Sequence, residues 1–329
     1  MDLSSMILAE HLSDDFWQAF EEQNISLLCE PDKRFVNFFL EITRHLQELN
    51  QLFHVFRFNL LNMRDLFTLT FSDSLIRNDQ LNFVPNKTEP FLEKKEHMIE
   101  INDKIAINAL TINFISSGKT LSKSIETLIE NDFCEEFSAP KGLDKAWLNK
   151  IYDNDFNYRF LVHLRDFAQH GHLPVSVTDN KFGFDLGQIL GTPHFSHNST
   201  RKKQFESIAN QIIGRSDYPR LTFTYHIAGY NLTITKMYVD FLRKIKSTIS
   251  ASKKEIDSLI SRYPDNVILT PDKSSGLFVF MLEEDDWHTI SIDGDVLKMH
   301  NDFLRKAKKV LHEEQLLFDD VKLSILNSK

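Results

Sequence analysis

The sequence predicts a mainly α-helical protein with a small strand-containing portion towards its C-terminal end, an α+β arrangement. Long stretches place apolar residues at the three- and four-residue spacing of an amphipathic helix. Only 10 glycines and 9 prolines occur in 329 residues, fewer than the turns of an all-β sandwich or barrel normally need. Short segments of alternating apolar and polar residues near the C-terminus are typical of strands.

The first helical stretch, residues 32–70, contains no glycine or proline and predicts one very long helix or two helices with a tight break. A polar loop follows at residues 78–90. Further helices are predicted at about residues 89–116 and 120–131, interrupted at Gly118. The next helix begins after Asp144, a plausible N-cap, and ends near residue 170.

The remaining chain mixes strands with helices. The segment 221–227 fits either a strand or the start of a helix, and we expect a division into a domain at 1–264 and a small α+β portion at 265–329. The predicted strands are 175–178, 182–186, 266–270, 277–282 and 287–292, and the predicted helices are 200–213, 231–263 and 296–314.

Composition favours a cytoplasmic protein without a membrane segment. No run of about 18 apolar residues occurs, and the N-terminus lacks a basic region followed by an apolar one. Cys29 and Cys134 match no metal or redox spacing, so we expect free thiols in a reducing compartment. The net charge of −9 argues against a generally basic surface, although a local basic patch is compatible with it.

One short stretch carries residues suited to chemistry: Arg165, Asp166 and His170, within the sequence RDFAQH. The loose pattern of an arginine and a histidine separated by four to six residues is weak. It also pairs Arg165 with His172, and it recurs twice more; the two further matches are Arg220–His226 and Arg305–His312. Requiring Asn, Asp or His directly after the arginine leaves Arg165 alone, and the motif ends an apolar helix just before Gly171.

This segment resembles the catalytic motif of HEPN domains, helical bundles that carry R-x(4–6)-H. The resemblance covers about residues 30–175 in its order of helices and six residues in its motif. It implies a HEPN-like bundle, a homodimer, and a ribonuclease site made from both protomers with Arg165 and His170 as catalytic residues. It also implies a toxin or antiphage-defence setting, with an antitoxin or regulatory partner.

The chemistry of RNA cleavage explains these residue types. The 2′-hydroxyl attacks the adjacent phosphorus, so a base must take its proton, and a histidine near neutral pKa suits this step. An always-charged arginine stabilises the phosphorane-like transition state through two hydrogen bonds. Asp166 would orient the arginine or a water, with His172 as a supporting residue. The expected products are a 2′,3′-cyclic phosphate and a 5′-hydroxyl, and no metal or other cofactor is expected.

Helix geometry adds a condition. Five positions correspond to a rotation of about 500°, which leaves Arg165 and His170 roughly 140° apart on a straight helix. The pair becomes chemically sensible if the helix frays at His170 or if two protomers face each other across a two-fold axis. In the structural alternative, Arg165 pairs with Asp155, Asp166 or another acid, and His170 only caps the helix.

Other candidate sites have weaker patterns. Residues 113–120 end like a phosphate-binding P-loop, but Asn113 replaces the first glycine and no strand precedes them. His194 and His197 form a two-ligand fragment without a nearby cysteine, short of a zinc site. The basic residues near the motif could hold RNA phosphates, although such clusters are more often merely solvated; they are Arg201, Lys202 and Lys203.

Three functions therefore remain in view. The first is a metal-independent endoribonuclease. The second is a HEPN-fold interaction or regulatory module without catalysis. The third is a helical partner of a nucleotidyltransferase, which is disfavoured for this chain alone because it contains no Gly-Ser followed by Asp-x-Asp.

Overall fold

The computed structural model describes the main helical and strand segments of the chain. The described residues are 30–71, 101–131, 143–178, 181–193, 203, 220–262, 267–269, 275–283, 286–293 and 296–327. Most of them are helical and two small sheets account for the strands, which confirms the predicted mainly α class with a small β portion. No described helix is both long and apolar enough to cross a membrane.

Several helices continue past positions where ends or breaks were expected, because apolar periodicity continues through those positions. They are α1 (Glu30–Phe71), α2 (Ile101–Asn131), α3 (Lys145–Asn154), α4 (Phe156–Gln169), α5 (Leu186–Gly191), α6 (Phe223–Arg262) and α7 (Val296–Asn327). The stretch 32–70 is thus one helix of 42 residues. The predicted ends of the later helices, at 231 and 314, lie inside α6 and α7.

The expected break at Gly118 is wrong, since α2 runs straight through it. A Cβ atom at this position would lie 2.6 Å from the Tyr230 hydroxyl oxygen and 3.0 Å from Phe56. Glycine is therefore present for the close approach of a neighbouring aromatic ring, and helical backbone is retained despite its lower propensity.

A break that the pattern did not predict divides residues 143–170 into α3 and α4. Asp144 caps α3 as predicted, and its carboxylate accepts the Trp147 amide at 2.8 Å. Asp155 then leaves helical geometry and caps α4 by accepting the Tyr158 amide, also at 2.8 Å. A second Asp at N-cap spacing thus starts a new helix in mid-segment.

The strands in the described part of the chain form two antiparallel sheets of three strands each. In the first, β1 (Ser176–Thr178), β2 (Lys181–Asp185) and β3 (Arg220–Thr222) lie in that order. In the second, β4 (Val267–Leu269), β5 (Ser275–Glu283) and β6 (Asp286–Asp293) do the same. The segment that fitted both strand and helix therefore contains both, because β3 ends at Thr222 and α6 begins at the next residue.

The chain divides into two compact units. Unit 1 comprises Met1–Glu48 and Leu242–Arg305, and unit 2 comprises Leu49–Phe241 and Lys306–Lys329. The sequence-based division between residues 264 and 265 stays a prediction.

Unit 1 contains polar contacts between segments that are distant in sequence. The Arg262 guanidinium donates to both carboxylate oxygens of Asp32, at 3.0 and 3.1 Å. The buried His300 ring donates from Nε2 to the Leu242 carbonyl at 2.8 Å. Burial lowers the pKa of His300 despite this hydrogen bond, so the ring is neutral at pH 7.

Unit 2 has an aromatic core. Phe56 stacks on Phe114 with ring centroids 4.9 Å apart, and the Tyr230 ring meets both edge-on. The Tyr230 hydroxyl donates to the Ile115 carbonyl at 3.1 Å, so this polar group is satisfied inside the core. Tyr158 of α4 stacks on Tyr230 and ties the helix that carries the motif to this core.

Candidate functional site

The motif predicted from the sequence lies at the C-terminal end of α4. The helix ends at Gln169, and His170 is its C-cap residue. Gly171 has a φ of +86°, a left-handed conformation that glycine adopts without steric conflict. The predicted stop before Gly171 is therefore confirmed, and Arg165 and Asp166 occupy the last helical turns.

Arg165 is partly buried and paired with its neighbour. Its Nη1 atom lies 3.4 Å from the Asp166 carboxylate, and the two side chains are 31% and 37% exposed. Its Nε atom is buried and has no hydrogen-bond partner among the described residues. Burial and the nearby Tyr158 raise the pKa of Tyr230, and the Arg165 charge partly opposes that rise, so the guanidinium lies close to the aromatic core.

The two candidate histidines have different surroundings. His170 is exposed, and its amide donates to the Phe167 carbonyl at 3.2 Å. Its ψ of 17° departs from helical backbone, as the fraying condition requires. The His172 ring instead stacks on Phe167 with centroids 4.7 Å apart, which holds it half-buried against the helix. His170 is therefore the more accessible proton acceptor.

Within one protomer, the motif contains residue types that suit phosphate chemistry. It also shows the contacts expected if these residues only stabilise the helix end. Arg165 contacts Asp166, and His170 occupies the helix cap. An exposed imidazole and a partly exposed guanidinium on adjoining turns can still accept a proton and donate to a phosphate. The straight-helix separation of roughly 140° no longer applies strictly to this pair, because the backbone leaves helical geometry at His170.

A second group of polar side chains on α3 and α4 was not singled out as a site by sequence reasoning. The Tyr152 hydroxyl and His163 Nε2 lie 2.6 Å apart, and His163 is 8% exposed. The Arg159 guanidinium stands 6.0 Å from the centre of the Tyr152 ring. Spacing could have found this group, because Arg159 and His163 are four residues apart and share a helix face.

His226 is a buried histidine with a structural environment. Its Nδ1 atom lies 2.6 Å from the Asn157 side-chain oxygen, and the Phe156, Phe160 and Phe184 rings surround it. Burial lowers its pKa from 6.5 to about 3, so the ring is neutral and donates to Asn157. The arginine of this loose motif match, Arg220, lies in β3, and His226 cannot act as an exposed base.

Glu314 of α7 forms a buried ionic group in unit 2. Arg57, Arg64 and Asn231 all donate to its carboxylate, with the Arg64 Nη2 to Oε2 distance at 2.6 Å. Burial alone raises the pKa of Glu314, but the two arginines outweigh it and the pKa is lowered. The carboxylate is fully used by these donors, which fits a structural role.

The weaker candidates from the sequence fall in other places. The P-loop-like segment lies inside α2, where the Ser117 and Thr120 hydroxyls bond to helix carbonyls of Phe114 and Ser116. Lys203 is an exposed helical residue. No group of three or more His, Cys, Asp or Glu side chains within the described ranges could hold a metal ion. Candidates outside the described residues are Arg201, Lys202, His194, His197, Cys29 and Cys134.

No protein-family model matches the chain, and no curated protein or solved structure matches it either. A function is therefore inferred from the side chains described above.

Proposed function

We propose that the protein is a metal-independent endoribonuclease of the HEPN type, acting as a homodimer. His170 removes the 2′-hydroxyl proton, and Arg165 donates to the phosphate as negative charge develops on it. Asp166 orients the arginine, and His172 supports the loop. The carrying observation is that His170 is exposed at the end of α4, directly after the turns that hold the Arg165–Asp166 pair.

The geometry of α4 supports a two-fold arrangement. On a straight helix Arg165 and His170 would diverge by roughly 140°, so in this proposal one protomer offers each group from a different side. Two copies placed end against end bring an arginine of one protomer to a histidine of the other. Leu173, 64% exposed in the loop after His170, provides an apolar contact for the second copy.

The direct test compares Arg165→Ala and His170→Ala with wild type in an RNA cleavage assay. Loss of a general base or a charge-stabilising group lowers rates by about 10²–10⁴-fold, so we expect about a thousandfold loss in each variant. The matched control is the loose motif match elsewhere in the chain, where Arg305 and His312 are both exposed. Arg305→Ala and His312→Ala should cleave at the wild-type rate.

Three further readouts make this test specific. Cleavage should persist in EDTA and leave 2′,3′-cyclic phosphate ends. Mixing the inactive Arg165→Ala and His170→Ala proteins should restore part of the activity, because a mixed dimer carries one intact arginine and one intact histidine in the shared site. If Arg165→Ala and His170→Ala cleave RNA like wild type, the ribonuclease proposal is wrong.

A toxin or antiphage-defence role extends the proposal to the cell. Expression of the wild-type chain should then slow growth and degrade RNA, whereas expression of His170→Ala should do neither. A partner that neutralises the wild-type chain would be found by its ability to restore growth when co-expressed.

The second candidate function is a non-catalytic interaction or regulatory module with the same fold. It is favoured by the Arg165–Asp166 contact and by the capping position of His170, because both residues already have structural roles. A wild-type protein that binds a partner but cleaves no RNA would support this candidate.

A further inference from the structure

The Arg159 guanidinium of α4 has no ionic partner among the residues that the structure describes. Its side chain is half-buried, and its Nε atom is buried without a hydrogen-bond partner among the described residues. The contact it does make is with the face of the Tyr152 ring, 6.0 Å from the ring centre. The buried Nε–H therefore has no acceptor among these residues, whereas the Nη groups at the end of the side chain can meet a ligand from solvent.

The nearest acids in sequence on α4 are committed to other groups. Asp155, four residues before Arg159, caps the helix with one carboxylate oxygen and accepts the Thr233 hydroxyl with the other. Asp166 lies beside Arg165. Neither of these two carboxylates therefore forms an ion pair with Arg159, although both are near it in sequence.

Tyr152 is held in position beneath the guanidinium. Its hydroxyl is hydrogen-bonded to His163, which is itself buried in α4 one turn after Arg159. The cation–π contact keeps the guanidinium near this ring, and its two Nη atoms remain available to a bidentate acceptor. The arrangement is suited to a phosphate, whose oxygens match the arginine fork.

Arg159 also shares one side of α4 with the end of the motif. With 3.6 residues per turn, Arg159, His163 and Asp166 fall within an arc of about 60°. His170 continues the same stripe, about 16 Å along the axis from Arg159. His163, in the middle of this stripe, is only 8% exposed, so a strand that contacts both Arg159 and His170 passes beside His163 and not over it.

We propose that Arg159, beside the Tyr152–His163 pair, forms a phosphate-binding subsite for the backbone of a single-stranded RNA that also reaches His170. The inference rests on the proposed function, since it names how the substrate of that site is held. Arg159 binds a phosphate away from the scissile bond, so it positions the strand and takes no part in the chemical step.

The test measures binding of a fluorescent 2′-O-methyl RNA oligonucleotide by anisotropy at several salt concentrations. This RNA lacks the attacking hydroxyl and stays intact. Arg159→Gln should bind roughly tenfold more weakly, and the slope of log K against log salt should fall by about 0.7, the value for one phosphate contact on a single strand. Arg305→Gln, an exposed arginine paired with Asp302, is the matched control and should leave both values unchanged.

Arg159→Lys guards against a folding defect in the Gln variant. It keeps the charge and loses the fork, so it should retain the wild-type salt slope and bind with intermediate affinity. A circular dichroism melt of each variant identifies any loss of fold. If both Arg159 variants bind the RNA as tightly as wild type does, the subsite does not exist.

The outcomes separate the subsite from the ribonuclease proposal. His170→Ala should bind the 2′-O-methyl RNA like wild type while failing to cleave unmodified RNA. Weak binding by Arg159→Gln combined with a wild type that cleaves nothing would support the subsite and reject the ribonuclease. If Arg159→Gln binds as tightly as wild type and the wild-type protein cleaves RNA, the ribonuclease proposal is supported and the subsite is rejected. A wild type that does not bind the oligonucleotide at all overturns the subsite, and its cleavage of unmodified RNA then decides the ribonuclease proposal separately.

Discussion

Helix α4 carries two arginine–histidine pairs in opposite circumstances. Arg159 and His163 are four residues apart on one face, and His163 is buried against Tyr152. Arg165 and His170 are five residues apart, and His170 is exposed at the cap. The first arginine has no carboxylate partner among the described residues, whereas the second lies beside Asp166.

The comparison teaches that similar residue types on one helix take different roles because of their surroundings. A buried imidazole with a hydrogen-bond partner contributes to stability and holds neighbouring groups in place. An exposed imidazole at a helix end contributes little to stability and remains accessible to a substrate. Under the proposed function, the Arg159–His163 pair positions the substrate and the Arg165–His170 pair carries the chemistry.

The largest expected difference between the pairs is in stability. His163→Ala removes a buried ring and its bond to Tyr152, so we expect the free energy of unfolding to fall by about 2–3 kcal/mol. His170→Ala removes an exposed side chain and should change it by less than about 0.5 kcal/mol. Urea unfolding at pH 7 measures both. If the two variants lost the same free energy of unfolding, the proposed difference between the buried His163 and the exposed His170 would be wrong.

The fully buried His226 extends the comparison to pH. Its pKa is about 3 in the folded chain and 6.5 when exposed, so the unfolded state takes up the proton first as the pH falls. Its contribution to folding is therefore lost from pH 6.5 downwards, by about 2 kcal/mol between pH 7 and pH 5. Glutamine does not titrate, so between pH 7 and pH 5 the unfolding free energy of His226→Gln should fall by about 2 kcal/mol less than that of wild type. Parallel curves of unfolding free energy against pH for the two proteins would contradict this.

A smaller effect is expected for the hydroxyl that joins Tyr152 to His163. Tyr152→Phe leaves Nε2 of the buried His163 side chain without this partner, and we expect a loss of about 1 kcal/mol in the free energy of unfolding. Tyr238→Phe is the control, since its hydroxyl bonds to Asn50 at the long distance of 3.4 Å and should matter less. The denaturant midpoints of the two variants show which substitution lowers stability more.

The smallest effect is expected at the Arg165–Asp166 pair. Both side chains are about one-third exposed, so solvent screens the attraction, and Asp166→Asn should change stability by less than about 0.5 kcal/mol. Cleavage should fall measurably, because the arginine loses an orienting partner. A stability loss well above this limit, with cleavage unchanged, would assign Asp166 a structural role instead.

Much of the fold could be predicted from local pattern. The mainly helical class follows from apolar periodicity, and the start of α3 and the end of α4 follow from Asp144 and Gly171. The division at Asp155 was missed because an aspartate in a helical pattern is ambiguous. Its role depends on accepting the Tyr158 amide and the Thr233 hydroxyl, and Thr233 is distant in sequence.

The candidate site was predictable in part for the same reason. Residue type and spacing predict the Arg165–His170 motif and the end of its helix, because both depend only on residues close together in sequence. The environment of each side chain is not local. His163 and His170 are both histidines that follow an arginine on the same segment of sequence. Their environments differ because His163 is buried against Tyr152.

Local sequence therefore decided the helical class, the helix caps and the position of the motif at a helix end, because these depend on residues within a few positions of one another. Tertiary packing decided the rest. Tyr230 packs closely against Gly118 within α2, and Asp155, four residues before Arg159, accepts the Thr233 hydroxyl. Contacts between residues far apart in the chain set burial and charge pairing, and these determine which histidine is a structural support and which is available for chemistry.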